Sequence, residues 1–128
     1  MFLQNLNFEQ QRVFLKLANE IIRADGVLSP MEDNLLAELK LQLHANIVPA
    51  TEIGKLEKIF DTKKSKISVL TEIIGIGFID NKFDLKEKKY VQKIGKELNL
   101  SQDEIKFCIN WVDKQFDLMK EIKKRMEN

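Results

Sequence analysis

The sequence predicts an all-α fold, with about six helices in two pseudo-symmetric helix–turn–helix halves that together make one domain of 128 residues. Three observations predict it. Apolar residues recur at three- and four-residue spacings, as in Phe14, Leu17, Ala18, Ile21 and Ile22, and again in Leu35, Leu36, Leu39 and Leu43. No alternating strand pattern runs longer than a few residues. Residues 22–32 align without a gap on residues 77–87, an offset of 55.

Helices are expected over about 8–24, 30–44, 50–60, 65–79, 85–98 and 102–125. Four capping boxes support these starts: Asn7 with Gln10, Ser29 with Glu32, Asp84 with Glu87, and Ser101 with Glu104. Pro30 and Pro49, the only prolines, fall where helices are expected to begin, and a first helical residue needs no N–H. The polar run at 61–66, DTKKSK, is expected to be a solvated connector between repeat units of about 8–60 and 65–120. Across the repeat Asp25 falls on Asp80, Gly26 on Asn81, Leu28 on Phe83, Ser29 on Asp84 and Glu32 on Glu87. Beyond the turn the register carries Ile21 to Ile76, Leu36 to Val91, Leu39 to Ile94 and Leu43 to Leu98. Gly and Asn are the residues that best tolerate φ > 0, and Ser and Asp are both strong N-caps. The shared pattern is helix, left-handed closing residue, apolar plug, cap, helix.

Composition narrows the function. With 44% hydrophobic and 32% charged residues the chain is globular. Its formal net charge of +1 lacks the basic excess expected of a nucleic-acid binder, so no nucleic-acid partner is expected. The longest apolar stretch, at 73–79, is interrupted by Gly75 and Gly77 and is far shorter than the roughly 20 residues a membrane span needs. The N-terminus lacks the charged and apolar regions of a signal peptide, and a cytoplasmic location is expected. The single cysteine, Cys108, excludes an internal disulfide and dithiol chemistry. It lies on a stripe with Ile105, Ile109 and Val112 and is expected to be a buried, unreactive side chain. His44 is expected to cap a helix C-terminus, and Gly75 and Gly77 to permit close helix packing. Nucleophile elbow, P-loop and dinucleotide fingerprints are absent, so an enzyme is not expected.

Two features remain for function. Asp25 and Asp80 are expected at helix C-termini, where the macrodipole disfavours a carboxylate. Either they close Asx-turns, or they hold a hard cation such as Ca²⁺, Mg²⁺ or Mn²⁺, Asp25 with Glu32 or Glu20 and Asp80 with Glu87. Neither loop is an EF-hand, because the twelfth residues are Leu36 and Val91. Charges sum to −2 over 23–33 and to 0 over 78–88, which favours the first turn as a cation site. The second feature is the last helix. Ile105, Cys108, Ile109, Val112, Phe116, Met119 and Met126 form one apolar stripe, expected to be buried. Phe107, Trp111, Leu118 and Ile122 form another, which either wedges between the halves or serves as an interface with a protein partner or a second copy.

The turn sequence ADGVLSPME and its second copy IDNKFDLKE resemble the TerB-like family, named for bacterial tellurite resistance, over about residues 8–116. The resemblance implies an all-helical pair of mirrored halves whose acidic residues chelate metal. Matched positions are Asp25, Glu32, Asp80 and Glu87, with Glu20 on the preceding helix. Asn81 in place of glycine, the added lysines around it, and Gly75 at the position matching Glu20 are departures at the second turn. The expected function is a non-enzymatic, divalent-cation-binding interaction module linked to stress resistance. A purely structural or oligomeric domain is the alternative, and a metal-dependent hydrolase a third reading.

Overall fold

The computed structural model describes residues 2–24, 30–44, 46–79 and 83–127, with 30–33 described by backbone alone. Among the described residues it is all-helical. A 3-10 turn, Leu3–Asn5, is followed by α1 (Phe8–Ile22), α2 (Pro30–Gln42), α3 (Leu56–Ile59), α4 (Lys63–Gly77), α5 (Leu85–Glu97) and α6 (Gln102–Glu127).

The centre of the fold is α4. Its sequence, KKSKISVLTEIIGIG, spreads apolar and small polar residues around most of the cylinder, as in a helix enclosed by others. Accordingly α1, α5, α6 and the 3-10 turn all pack against it. Val69, Leu70, Ile73 and Ile74 are wholly buried there, beside Phe14, Leu15 and Ala18 of α1 in one core. Its buried hydroxyls bond back to their own helix, Ser68 Oγ to the Lys64 carbonyl at 2.6 Å and Thr71 Oγ1 to the Ile67 carbonyl at 2.9 Å. That disposes of polar atoms which would otherwise cost free energy in the core.

Each end of α4 and α5 lies 55 residues after the matching end of α1 and α2. The N-caps of α1 and α4 obey the same offset: Asn7 forms a capping box with Gln10, and Thr62 with Ser65. Asp84 and Glu87 form a third box at the start of α5. The box expected at Ser29 and Glu32 and the positive φ expected at Gly26 and Asn81 lie outside the described residues.

Several expectations need correction. The helix expected over 50–60 is a single turn, Leu56–Ile59, and Pro49 starts no helix. Residues before it use their hydrogen bonds on α1 instead. The Ala50 N–H donates to the Arg12 carbonyl at 3.1 Å, and the Arg12 guanidinium to the Val48 carbonyl at 3.3 Å. The buried Gln10 and Gln11 amides act alike, Gln10 donating to the Ile59 carbonyl and Gln11 accepting from the His44 N–H. With that backbone already paired, helix formation there gains little. His44 lies beyond α2, exposed, with its ring edge-on to Phe8. The run at 61–66 is not a connector, because the Thr62–Ser65 box starts α4 at Lys63 and its lysines occupy the first turn. Lys63 there pairs with Glu104 Oε2 at 2.8 Å. At the box expected between Ser101 and Glu104, the Glu104 N–H donates to Ser101 Oγ at 3.2 Å and Ser101 Oγ donates to Glu104 Oε1 at 3.4 Å.

A capping device that was not expected ends α5. Asn99 has φ 61°, its N–H donates to the Lys96 carbonyl, and the Leu100 N–H donates to the Gly95 carbonyl. That pair of bonds is a Schellman motif, and it lays Leu100 into the core before α6 begins.

Candidate functional site

Of the expected cation ligands, Glu20 and Glu87 have described side chains. Asp25 and Asp80 lie outside the described residues, and Glu32 is described by backbone alone, in the first turn of α2. Glu20, near the end of α1, already has a partner on each oxygen. Lys16 Nζ lies 3.1 Å from Oε1, and the Tyr90 hydroxyl donates to Oε2 at 2.7 Å. Tyr90 Oη also stands 3.2 Å from the Leu17 carbonyl, so this one phenol ties α5 to α1. Burial, then the bond to Glu20 and the charges of Glu20 and Glu97, push the Tyr90 phenol well above its ordinary range. Glu87 is buried at the start of α5, accepting from the Asp84 N–H at 3.2 Å while its own N–H donates to Asp84 Oδ1 at 2.9 Å. It serves the helix cap. Among the described residues, no three His, Cys, Asp or Glu side chains stand close enough to hold a metal ion.

The two glycines expected to permit close packing divide. A Cβ on Gly77 would stand 2.9 Å from the Phe83 ring and 3.5 Å from Glu87 Oε2, so Gly77 makes room for the plug of the turn. A Cβ on Gly75 would meet nothing. Phe83 stacks on Phe78 at 4.6 Å, and Phe78 in turn meets Phe116 of α6 at 5.7 Å. Aromatic packing thus joins the end of α4 to the residue before the α5 cap and to α6.

A groove of about 870 Å³ runs between α1, residues 51–57 and α5. Four lysines and four glutamates line it, so it favours neither sign of ligand, and it holds no Ser, Cys or His.

The more informative surface belongs to α6. Ile105, Cys108 and Val112 are buried, and burial together with the Glu104 charge pushes the Cys108 thiol up to about 11. From Asp117 to Glu127 every residue is exposed. Of the expected interface residues, Phe107, Leu118 and Ile122 are 68%, 57% and 49% exposed. Trp111 is the exception: it is half-buried, its ring 5.6 Å from Phe2. Met119 and Met126, expected in the buried stripe, are exposed as well. Length explains that difference. A 26-residue helix runs about 39 Å at 1.5 Å per residue, whereas its neighbours α4 and α5 have only 15 and 13 residues and cannot cover it end to end. At 100° per residue, Leu118, Met119, Ile122 and Met126 fall within an arc of about 100°, so the uncovered end carries one apolar face. Phe2, absent from the sequence reading, joins Ile67, Thr71, Phe107, Cys108 and Trp111 around an apolar cavity of about 220 Å³ at the other end of the same strip.

Among the described residues, no helix is long and apolar enough to cross a membrane. Comparison of the chain with protein-family models, curated proteins and solved structures finds no match.

Proposed function

We propose that this chain is a non-enzymatic, cytoplasmic interaction module that binds a protein partner through the far end of α6. The observation that carries the reading is the single apolar face of Leu118, Met119, Ile122 and Met126 on a helix end exposed throughout its last eleven residues. Contiguous exposed apolar surface of this kind marks contact sites, because leaving it in water forgoes its burial free energy. The resemblance of the turns to the TerB-like family fits a scaffold of two pseudo-symmetric halves, and the shared 55-residue offset of the helix ends supports that arrangement. A role in stress resistance follows from the same resemblance.

A cation at the first turn is part of this proposal, supported by the local charge sum of −2 around Asp25. Glu20 would have to release Lys16 or Tyr90 to serve, so Asp25 with Glu32 is the favoured pair. A melting temperature that rises with millimolar Ca²⁺, Mg²⁺ or Mn²⁺, and no longer does so in Asp25→Asn, supports the site. An unchanged melt leaves Asp25 an Asx-turn.

The module reading is tested by placing a photo-crosslinking residue at Ile122, and as control at Lys124 on the polar side, in the cell that makes the protein. Adducts at position 122 but not at 124 support it. No adduct at either position, or equal labelling at both, rejects it in favour of a purely structural domain.

A further inference from the structure

Within one arc of about 100° on α6, the uncharged side chains that are not buried are Phe107, Trp111, Gln115, Leu118, Ile122 and Met126. Their spacings are four, four, three, four and four, a series that is the same from either end, centred between Phe116 and Asp117. A strip with that symmetry matches a second copy of itself when the two run antiparallel about a twofold axis. We infer that the chain forms an antiparallel homodimer through α6, in which Trp111 and Gln115 meet the partner's Ile122 and Leu118. This rests on the module reading above and names the partner as a second copy.

The flanking charges select the same arrangement. In heptad terms Gln115 and Ile122 take a positions and Trp111 and Leu118 take d, which puts Lys114 and Glu121 at g. In an antiparallel pair, g faces g across the seam. Lys114 therefore lies against the partner's Glu121, and by symmetry Glu121 against the partner's Lys114. Both side chains are exposed and free to reach across. A parallel pair would instead gather the basic ends of both copies, Lys120, Lys123, Lys124 and Arg125, at one point.

Shape agrees with charge. Ile122 arrives opposite the partner's Trp111, beside the 220 Å³ apolar cavity bounded by Phe2, Ile67 and Phe107, which has room for a branched aliphatic side chain. The five exposed apolar side chains of α6, Phe107, Leu118, Met119, Ile122 and Met126, at roughly 100 Å² each, offer on the order of 1,000 Å² to the pair, the lower bound for a specific contact. The dimer is accordingly a weak one that dissociates on dilution.

Sedimentation equilibrium on the full chain, from low micromolar to submillimolar concentration, tests the inference. The wild type is expected to pass from monomer to dimer, and Ile122→Glu to remain monomeric with unchanged circular dichroism, because its site lies beyond the packed body. Lys114→Glu and Glu121→Lys should each weaken the dimer roughly tenfold by making both flanking pairs like-charged, and the double reversal should restore it. A wild type that stays monomeric throughout overturns the homodimer. So does a dimer indifferent to Ile122→Glu, or a double reversal no tighter than the single ones. A monomeric wild type that still gives adducts with another protein at position 122 overturns the dimer while the module reading stands. Absence of any adduct overturns both.

Discussion

Replacing Gly95 with alanine adds one methyl group in the middle of α5, and the structure sets the sign of the effect. In an open helical position glycine-to-alanine stabilises by up to about 1 kcal/mol, because alanine loses less backbone entropy on folding. At Gly95, however, the new Cβ would stand 2.6 Å from both Cδ1 and Cγ1 of Ile105. That is about 1 Å inside the 3.5–4.0 Å of a relaxed carbon contact. Ile105 is wholly buried in the core, so it has little room to retreat. Overpacking of this kind costs about 1–3 kcal/mol, leaving a net loss of up to about 2 kcal/mol once the helical gain is subtracted. Gly75 is the internal control, since a Cβ there meets nothing and Gly75→Ala should be neutral to stabilising. In a chain of this size about 1 kcal/mol moves the melting temperature by about 4 °C, so the two variants should melt some degrees apart on opposite sides of the wild type. Thermal and urea melts followed by circular dichroism read this directly. Shortening the obstructing side chain with Ile105→Val should cost less in the Gly95→Ala background than alone. Equal stability of Gly95→Ala and Gly75→Ala would refute the claim that α5 and α6 meet closely at this point.

Two further outcomes follow from the same geometry. Tyr90 is the only tyrosine, so phenolate absorbance reports on it alone. Its folded pKa lies above its unfolded one, so its contribution to stability is complete below about pH 10 and is lost as pH rises beyond that; phenolate should appear only together with unfolding, and an ordinary titration in the folded protein would contradict the Glu20 contact. Asn99→Gly should be neutral or slightly stabilising in urea, whereas Asn99→Ala should cost about 1 kcal/mol for a left-handed residue without glycine's freedom or asparagine's local bonding. Indifference to both would mean that the Schellman closure of α5 does not matter.

The long helices were legible because their signals are local. The box residues Asn7 with Gln10 and Asp84 with Glu87 sit three apart, and the apolar period between caps does the rest. What escaped depends on distant partners. Residues 50–55 were expected to be helical, but Arg12 on α1 pairs with the backbone at Val48 and Ala50, and nothing near Pro49 announces that. Conversely, the lysines at 63, 64 and 66 disguise a helix start whose cap, Thr62 with Ser65, is weaker in sequence than an acidic box. On the candidate surface, the second apolar stripe of α6 was plain from spacing, yet the depth at which each residue sits was not. Trp111 is half-covered by Phe2, more than 100 residues earlier in the chain, whereas Met119 and Met126 are bare because α6 outruns its neighbours. Helix length was the usable signal for the methionines. The acidic turns stand where the sequence left them, with Asp25 and Asp80 outside the described residues.

The most direct test of the account compares the melting temperature of the full chain with that of a chain ending at Phe116, each over a wide range of protein concentration. If residues 117–127 are a contact surface and not part of the folded body, the two should melt within about 2 °C of each other when dilute. As concentration rises, the full chain should melt at progressively higher temperature while the short chain does not move, because only a species that associates when folded gains stability by mass action. A short chain that melts far lower at every concentration would show that the end of α6 supports the fold. Two chains that stay together at every concentration would show that this face binds no second copy.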